Sequence, residues 1–227
     1  MNKITVAIDG YSSCGKSTLA KQLAKELGYT FVDTGAMYRA VTVFAIENGF
    51  IQENEVLTVE LIEGIKNIDV SFVFNPSRGA SDVCLNGENI ETSIRQMMVS
   101  DNVSHIAAIK EVRQKLVTLQ QEMGVNKGVV MDGRDIGTVV FPNAELKLFM
   151  TASPEIRAQR RYDELLAKGD PTTMEEVRTN LEKRDLIDTT RKEDPLRQAE
   201  DAVVLDNSNL TQEEQLQLVL ELVRERI

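Results

Sequence analysis

Short apolar runs alternate along this chain with longer segments whose apolar residues recur three and four positions apart. Residues 3–9 (KITVAID) form a run of the first kind and predict a buried strand. Leu19, Ala20, Leu23, Ala24 and Leu27 then give one apolar helical face, and Gly28 supplies its stop. Residues 30–34 predict a second strand, and helices are expected over about 36–47 and 56–66. The pattern changes at residues 69–75 (DVSFVFN), where apolar and polar positions alternate. Residues 82–85 lead into Asn86-Gly87 and residues 88–90, and Asn-Gly between two short runs favours a type I′ hairpin turn. Residues 68–92 are therefore expected to form a small antiparallel insertion. Helices over about 93–106 and 110–123 follow, then strands at 128–132 and 145–151. Ser153-Pro154-Glu155 is a cap with proline at the first helical position, opening a helix to about 168. A helix over about 174–188 and a last strand over 201–206 come next. Thr211-Gln212-Glu213-Glu214 is a capping box that opens the final helix. Strands alternating with helices imply an α/β fold built on a parallel sheet covered on both faces.

Composition narrows the choice. A chain of 227 residues, 42% hydrophobic, can bury one core and a modest insertion. The net charge of −10 disfavours nucleic acid or an anionic membrane as the main partner. Trp is absent and Tyr numbers 4, which leaves no stacking platform for single strands. No apolar run approaches the roughly 20 residues that span a bilayer. Two cysteines, Cys14 and Cys84, make no disulfide framework, so a cytoplasmic location is expected.

The segment between the first strand and helix carries the chemistry. Gly10-Tyr11-Ser12-Ser13-Cys14-Gly15-Lys16-Ser17 fits G-x-x-x-x-G-K-[ST] at every fixed position. Strand, glycine loop and helix cradle nucleotide phosphates with loop N–H groups and a helix N-terminus. Lys16 would reach the β- and γ-phosphates, and the Ser17 hydroxyl would hold Mg²⁺.

Other segments supply a second set of polar residues. Asp33-Thr34-Gly35-Ala36-Met37-Tyr38-Arg39 follows the second strand. Thr34 can cap the next helix, and Arg39 would clamp a second phosphate at the sheet's carboxyl edge. Asp132-Gly133-Arg134-Asp135-Ile136-Gly137-Thr138 follows an apolar strand. Asp132 stands either as a Mg²⁺-associated acid or at a glycine-rich strand exit. Arg157, Arg160 and Arg161 recur on one predicted helix, and Arg184, Asp188 and Arg191 share a face of another. These are either structural ion-pair ladders or parts of an arginine-bearing lid, and Arg157 reads as a solvated helix residue. His105 is the single histidine and is expected on a helix surface or in the core.

Together these segments resemble the bacterial cytidylate kinases, a branch of the nucleoside monophosphate kinases, through nearly the whole chain. The phosphate loop, DTGAMYR (33–39), the hairpin insertion, Ser104 before His105-Ile106-Ala107, Arg113, DGRDIGTVVFP (132–142), RAQRR (157–161) and KRDLIDTTR (183–191) carry the resemblance. Tyr11 departs from it, because many members have proline there. Glycine is common where this chain has Ser17, so Thr18 could share the magnesium role.

The resemblance implies a P-loop NTPase-type three-layer fold, a single kinase domain over 1–227. Residues 68–92, or to about 108 with the next helix, would be its monophosphate-binding insertion, and residues 153–171 its helical lid. It implies that Gly10 through Thr18, Lys16 above all, bind ATP and that Ser17 and Asp132 hold Mg²⁺. It places Thr34 among the substrate-binding residues, assigns Arg39, Arg134 and Arg191 to the monophosphate, and Ser104, Arg113 and Asp135 to cytosine, where a carboxylate accepts from the exocyclic amine. Arg184 and Asp188 would contact the sugar and phosphate side, and Arg160 and Arg161 would belong to the lid.

The expected activity is transfer of the γ-phosphoryl group of MgATP to CMP or dCMP by a cytoplasmic monomer. A phosphate acceptor, with a second pKa of about 6, needs no general base. A kinase for AMP or a hydroxylated metabolite is the rival within the class. A GTP-binding switch is the rival outside it, but Asn126-Lys127-Gly128-Val129 lacks the final Asp of a guanine motif. A non-catalytic nucleotide-binding module is disfavoured by the second set of arginines.

Overall fold

The computed structural model describes residues 2–52 and 55–227. The chain forms two compact units: residues 1–33 with 119–227, and residues 34–118. The first opens with strand β1 (Thr5–Gly10), buried at all six positions, then helix α1 (Lys16–Leu27) and strand β2 (Thr30–Asp33). Gly28 stops α1 in the left-handed conformation (φ 63°), the backbone state that glycine adopts without steric cost.

The second unit, the insert, begins with α2 (Thr34–Glu47). Two short strands not expected from the pattern, β3 (Ile51–Gln52) and β4 (Glu55–Val56), pair antiparallel before α3 (Thr58–Ile65). Strands β5 (Val70–Asn75), β6 (Ala80–Leu85) and β7 (Glu88–Asn89) make the expected antiparallel sheet. Asn86 (φ 52°) and Gly87 (φ 82°) both take positive φ between β6 and β7, as a type I′ turn demands. The helix expected over 93–106 is interrupted. A 3₁₀ turn at Ser93–Arg95 gives way at extended Gln96 (ψ 150°) to α4 (Met97–Ala107). Ile94 is followed three and four positions later by Met97 and Met98, so the apolar spacing runs through the break and conceals it. Helix α5 (Lys110–Gly124) carries the chain back into the first unit.

There the chain adds β8 (Val129–Gly133), a π-helical turn at Ile136–Val140, β9 (Leu146–Thr151), α6 (Pro154–Ala167), α7 (Met174–Thr190), β10 (Val203–Asp206) and α8 (Gln212–Arg224). The start signals hold: Ser153 Oγ accepts from the Ile156 N–H, and Thr211 with Glu214 closes the capping box of α8. Thr173 and Glu176 form another at α7.

The five strands lie in the order β10-β9-β1-β8-β2, all parallel. Val6, Ile8, Leu146, Leu148 and Met150 pack with Leu19 and Leu23 of α1 and Val219 and Val223 of α8 in one core. From β1 the chain first winds toward β2 and β8, then toward β9 and β10. The carboxyl end of β1 is therefore a topological switch point, where open α/β sheets bind ligands. Among the described residues, no helix is long and apolar enough to cross a membrane.

Candidate functional site

The loop Gly10–Ser17 leaves β1 at that switch point. Its first residue must be glycine: φ is 149°, and a Cβ would lie 2.0 Å from the Met150 carbonyl oxygen. Gly15 (φ 95°) closes the loop ahead of α1. Lys16 is 5% exposed, and its Nζ donates to the Tyr11 carbonyl at 2.6 Å across the loop. Burial, reinforced by the Arg134 charge, lowers its pKa. Ser12 and Cys14 are buried, whereas Thr18 is exposed.

Around the loop stand residues from the neighbouring strand ends. Ser17 Oγ donates to Asp132 Oδ2 at 2.7 Å. Asp132 pairs in register with Asp33, so two carboxylates end adjacent strands. Burial, with the charge of Asp33, pushes Asp132 up to about 6. A hydroxyl and neighbouring carboxylates are hard oxygen donors that suit Mg²⁺, which keeps several of its waters. Among the described residues no group of three or more His, Cys, Asp or Glu side chains clusters for a metal.

Arg134 links the loop to α7. Its Nη2 donates to Ser12 Oγ at 2.8 Å and its Nε to Asp188 Oδ2 at 2.9 Å. Arg191 Nη1 lies 3.9 Å from Asp188 Oδ1, and its Nη2 lies 3.8 Å from Asp135 Oδ1. Burial alone would raise Asp188; Arg134, Arg184 and Arg191 outweigh it and hold the carboxyl below its usual range. The structure thus brings together Ser12, Lys16, Ser17, Asp132, Arg134, Asp135, Arg184, Asp188 and Arg191.

Thr34, Arg39, Ser104 and Arg113 belong to the insert unit. Thr34 is the buried first residue of α2, and Arg39 is half-buried on the same helix. Ser104 is buried on α4. Arg113 is 2% exposed; it donates to the Ala107 carbonyl, and its guanidinium lies 5.6 Å from the Tyr38 ring centroid.

The arginines of α6 differ from one another. Arg161 pairs with Glu164 at 2.9 Å, the local ion pair that a helix ladder would give. Arg160 donates to both the side-chain oxygen and the carbonyl of Asn207. Arg157, expected at the solvent face, is 8% exposed and donates to the Ser12 carbonyl and to Asp185. It is buried because loop oxygens and an acid of α7 satisfy its guanidinium.

Two residues escaped the pattern. Asn207 Nδ2 donates to the Cys14 carbonyl at 2.6 Å, tying the phosphate loop to the end of β10. Its place just past a strand's carboxyl end was the available signal. Asp9, the acid inside an otherwise apolar strand, accepts from the N–H groups of Ile136 and Gly137, each at 2.7 Å. It fixes the turn that follows Arg134 and Asp135.

The chain as a whole has relatives among known proteins. A cytidylate kinase family profile matches residues 6–225. A cytidylate kinase of Parabacteroides distasonis is 61% identical over 221 residues, covering 97% of this chain and 96% of its own. One from Flavobacterium johnsoniae is 60% identical over 225 residues, covering 99% and 98%. The crystal structure of an uncharacterized protein from Eubacterium ventriosum aligns with a TM-score of 0.55 at 10% identity, over 99% of this chain and all of that one (100%), a likeness of fold alone. Matched from its first strand to its last helix, and bearing the phosphate loop and the DGRDIG turn in one folded unit, the chain belongs to the cytidylate kinase family.

Proposed function

We propose that the protein transfers the γ-phosphoryl group of MgATP to CMP or dCMP, giving CDP or dCDP and ADP. One observation carries this reading: Arg134 joins Ser12 of the phosphate loop to Asp188, on which Arg184 and Arg191 also bear. A module that only binds a nucleotide needs one phosphate site. Phosphoryl transfer between nucleotides needs a second cationic set beside the first.

Lys16 and the loop N–H groups hold the ATP phosphates. Ser17 and Asp132 hold Mg²⁺, which neutralises phosphate charge when bound. Arg39, Arg134 and Arg191 grip the monophosphate; Ser104, Arg113 and Asp135 read cytosine; Arg184 and Asp188 contact the sugar side. Residues 68–92, extended to about 108, are the monophosphate-binding insertion, and residues 153–171 close over ATP. The attacking oxygen belongs to a phosphate that is largely dianionic near neutral pH, so no side chain must remove a proton. Catalysis is alignment and charge stabilisation. The buried Lys16 exerts its charge where water is excluded, which strengthens it. In this reading the protein acts as a cytoplasmic monomer.

The test is ADP release measured with ATP against CMP, dCMP, UMP, AMP and GMP. CMP and dCMP should exceed every other acceptor by about 10²-fold in kcat/KM, the margin that unpaired buried polar groups can give. A higher kcat/KM for AMP or GMP would overturn the assignment.

A further inference from the structure

Arg157 sits where α6 meets the phosphate loop, and its contacts point in three directions. Its Nε donates to the Ala152 carbonyl at 3.2 Å, which fixes the side chain to the end of β9. Its Nη1 donates to the Ser12 carbonyl at 3.2 Å and to Asp185 Oδ2, on α7, at 2.6 Å. Its guanidinium carbon lies 5.2 Å from the centroid of the Tyr11 ring, within reach of a cation–π attraction. Tyr11 in turn meets Phe149 edge-on, with centroids 6.0 Å apart and planes at 83°. Asp185 Oδ1 also lies 3.5 Å from the Ser12 N–H. The first two variable residues of the phosphate loop are therefore held by one guanidinium. Its charge is balanced from the helix that bears Arg184 and Asp188.

We infer that Arg157 is a positioning residue of the phosphoryl-donor site: acting through the Tyr11 ring and the Ser12 carbonyl, it sets the loop that receives the ATP phosphates and couples that loop to α7. The inference rests on the ATP-dependent reading above. The geometry favours positioning over plain stability. An arginine needed only to fill space or pair with Asp185 would not turn a donor onto a loop carbonyl and lie against a loop side chain. Ser12 Oγ also accepts from Arg134, but Asp188 holds that guanidinium separately through Nε, so the donor loop is the part that depends on Arg157. A lysine here would keep the charge on Asp185 but lose the planar fork that reaches three acceptors. The first two turns of α6 become the fixed root of the segment that closes over ATP, rather than part of its moving end.

The experiment compares wild type with Arg157→Lys, Arg157→Gln, Tyr11→Leu and the Tyr11→Leu/Arg157→Gln double variant. Equilibrium binding of a fluorescent ATP analogue is measured without acceptor, alongside kcat, KM for ATP, KM for CMP and thermal midpoints. Arg157→Gln should weaken ATP binding about tenfold, and Tyr11→Leu about threefold, with KM for CMP moving less than twofold. The double variant should lose less than the product of the two, because contacting residues are not additive. Arg157→Lys should fall between wild type and Arg157→Gln, and it keeps the test open if Arg157→Gln does not fold. A lowered midpoint with unchanged ATP binding would overturn the inference, as would multiplicative losses or equal loss for ATP and CMP. ATP binding needs no acceptor, so a wild type that binds ATP but does not phosphorylate CMP would sink the functional reading alone.

Discussion

Ser17 Oγ donates a 2.7 Å hydrogen bond to Asp132 Oδ2, joining the first turn of α1 to the end of β8. Thr18, the neighbouring hydroxyl, is exposed, so the serine is the one presented to the acid. Burial, then the charge of Asp33, pushes the Asp132 carboxyl up to about 6. Below that pH the group is protonated and offers a cation less. Apparent Mg²⁺ affinity should therefore decline as pH falls from 7.5 to 5.5, and binding near pH 6 should release a proton. Magnesium titrations of activity at three pH values check this; an affinity that does not move with pH removes Asp132 from the metal's surroundings.

Asp9 makes a second pH prediction, this time for stability. Burial pushes its carboxyl up to about 7 from an ordinary 3.8, while the N–H groups of Gly137 and Ile136 oppose the rise. Between those values the folded chain holds a proton that the unfolded chain has lost. This group's contribution to stability is thus full below about 4 and declines as pH rises toward 7. Asp9→Asn removes the titration and leaves one N–H facing an amide, a cost of about 1–3 kcal/mol at any pH. Urea midpoints should show the variant gaining on wild type between pH 5 and 7.5. A gap that stays constant across that range would refute the assignment.

Lys16→Ala should leave the fold intact and lower kcat by roughly 10³-fold or more, the scale of charge stabilisation lost in phosphoryl transfer. The buried amine already bears a lowered pKa from desolvation, so its removal takes no well-hydrated charge out of the fold. Circular dichroism should match wild type while turnover vanishes. Turnover at the wild-type rate would sink the role of the loop.

The parts of this picture legible in the sequence are those set by neighbours in the chain. The strand, glycine loop and helix at residues 5–27, the type I′ turn at Asn86-Gly87 and the Thr211–Glu214 box each depend on residues a few positions apart. Arg157 and Asn207 were illegible for the opposite reason. Their loop partners, Ser12 and Cys14, lie 145 and 193 positions away, and only the parallel sheet brings them close. The break at Gln96 was hidden because Ile94, Met97 and Met98 keep a helical spacing of three and four across it. The π-helical turn at Ile136–Val140 follows from Asp9 capturing two successive N–H groups, a long-range cause that leaves no local periodicity.

Asp135 is predicted to select cytosine. It is 3% exposed and lies 3.8 Å from Arg191. An acceptor there opposes the carbonyl of uracil but receives the amine of cytosine. Asp135→Asn should narrow the CMP-to-UMP ratio in kcat/KM by about tenfold or more, as a mismatched buried polar pair allows. An unchanged ratio would move base reading to Ser104 and Arg113.

Arg160 and Arg161 are adjacent in sequence and should behave differently. Arg160 is held at two points by Asn207, whose side chain also grips the Cys14 carbonyl. Arg160→Ala frees that asparagine, so it should raise KM for ATP. Arg161 has a pair with half-exposed Glu164, an interaction worth at most about 1 kcal/mol, and can exchange it for a phosphate. Arg161→Ala should therefore lower kcat far more than it weakens CMP binding, because its charge acts mainly in the transition state. Gly169, at φ 79°, lies beyond the last turn of α6 and marks the far end of the segment. Hydrogen exchange with and without an ATP–CMP bisubstrate mimic should show residues 153–160 protected in both states. Residues 161–171 should gain protection only when the mimic is bound. Uniform protection across 153–171 in both states, with a kinetically silent Arg161→Ala, would show that no part of this segment closes.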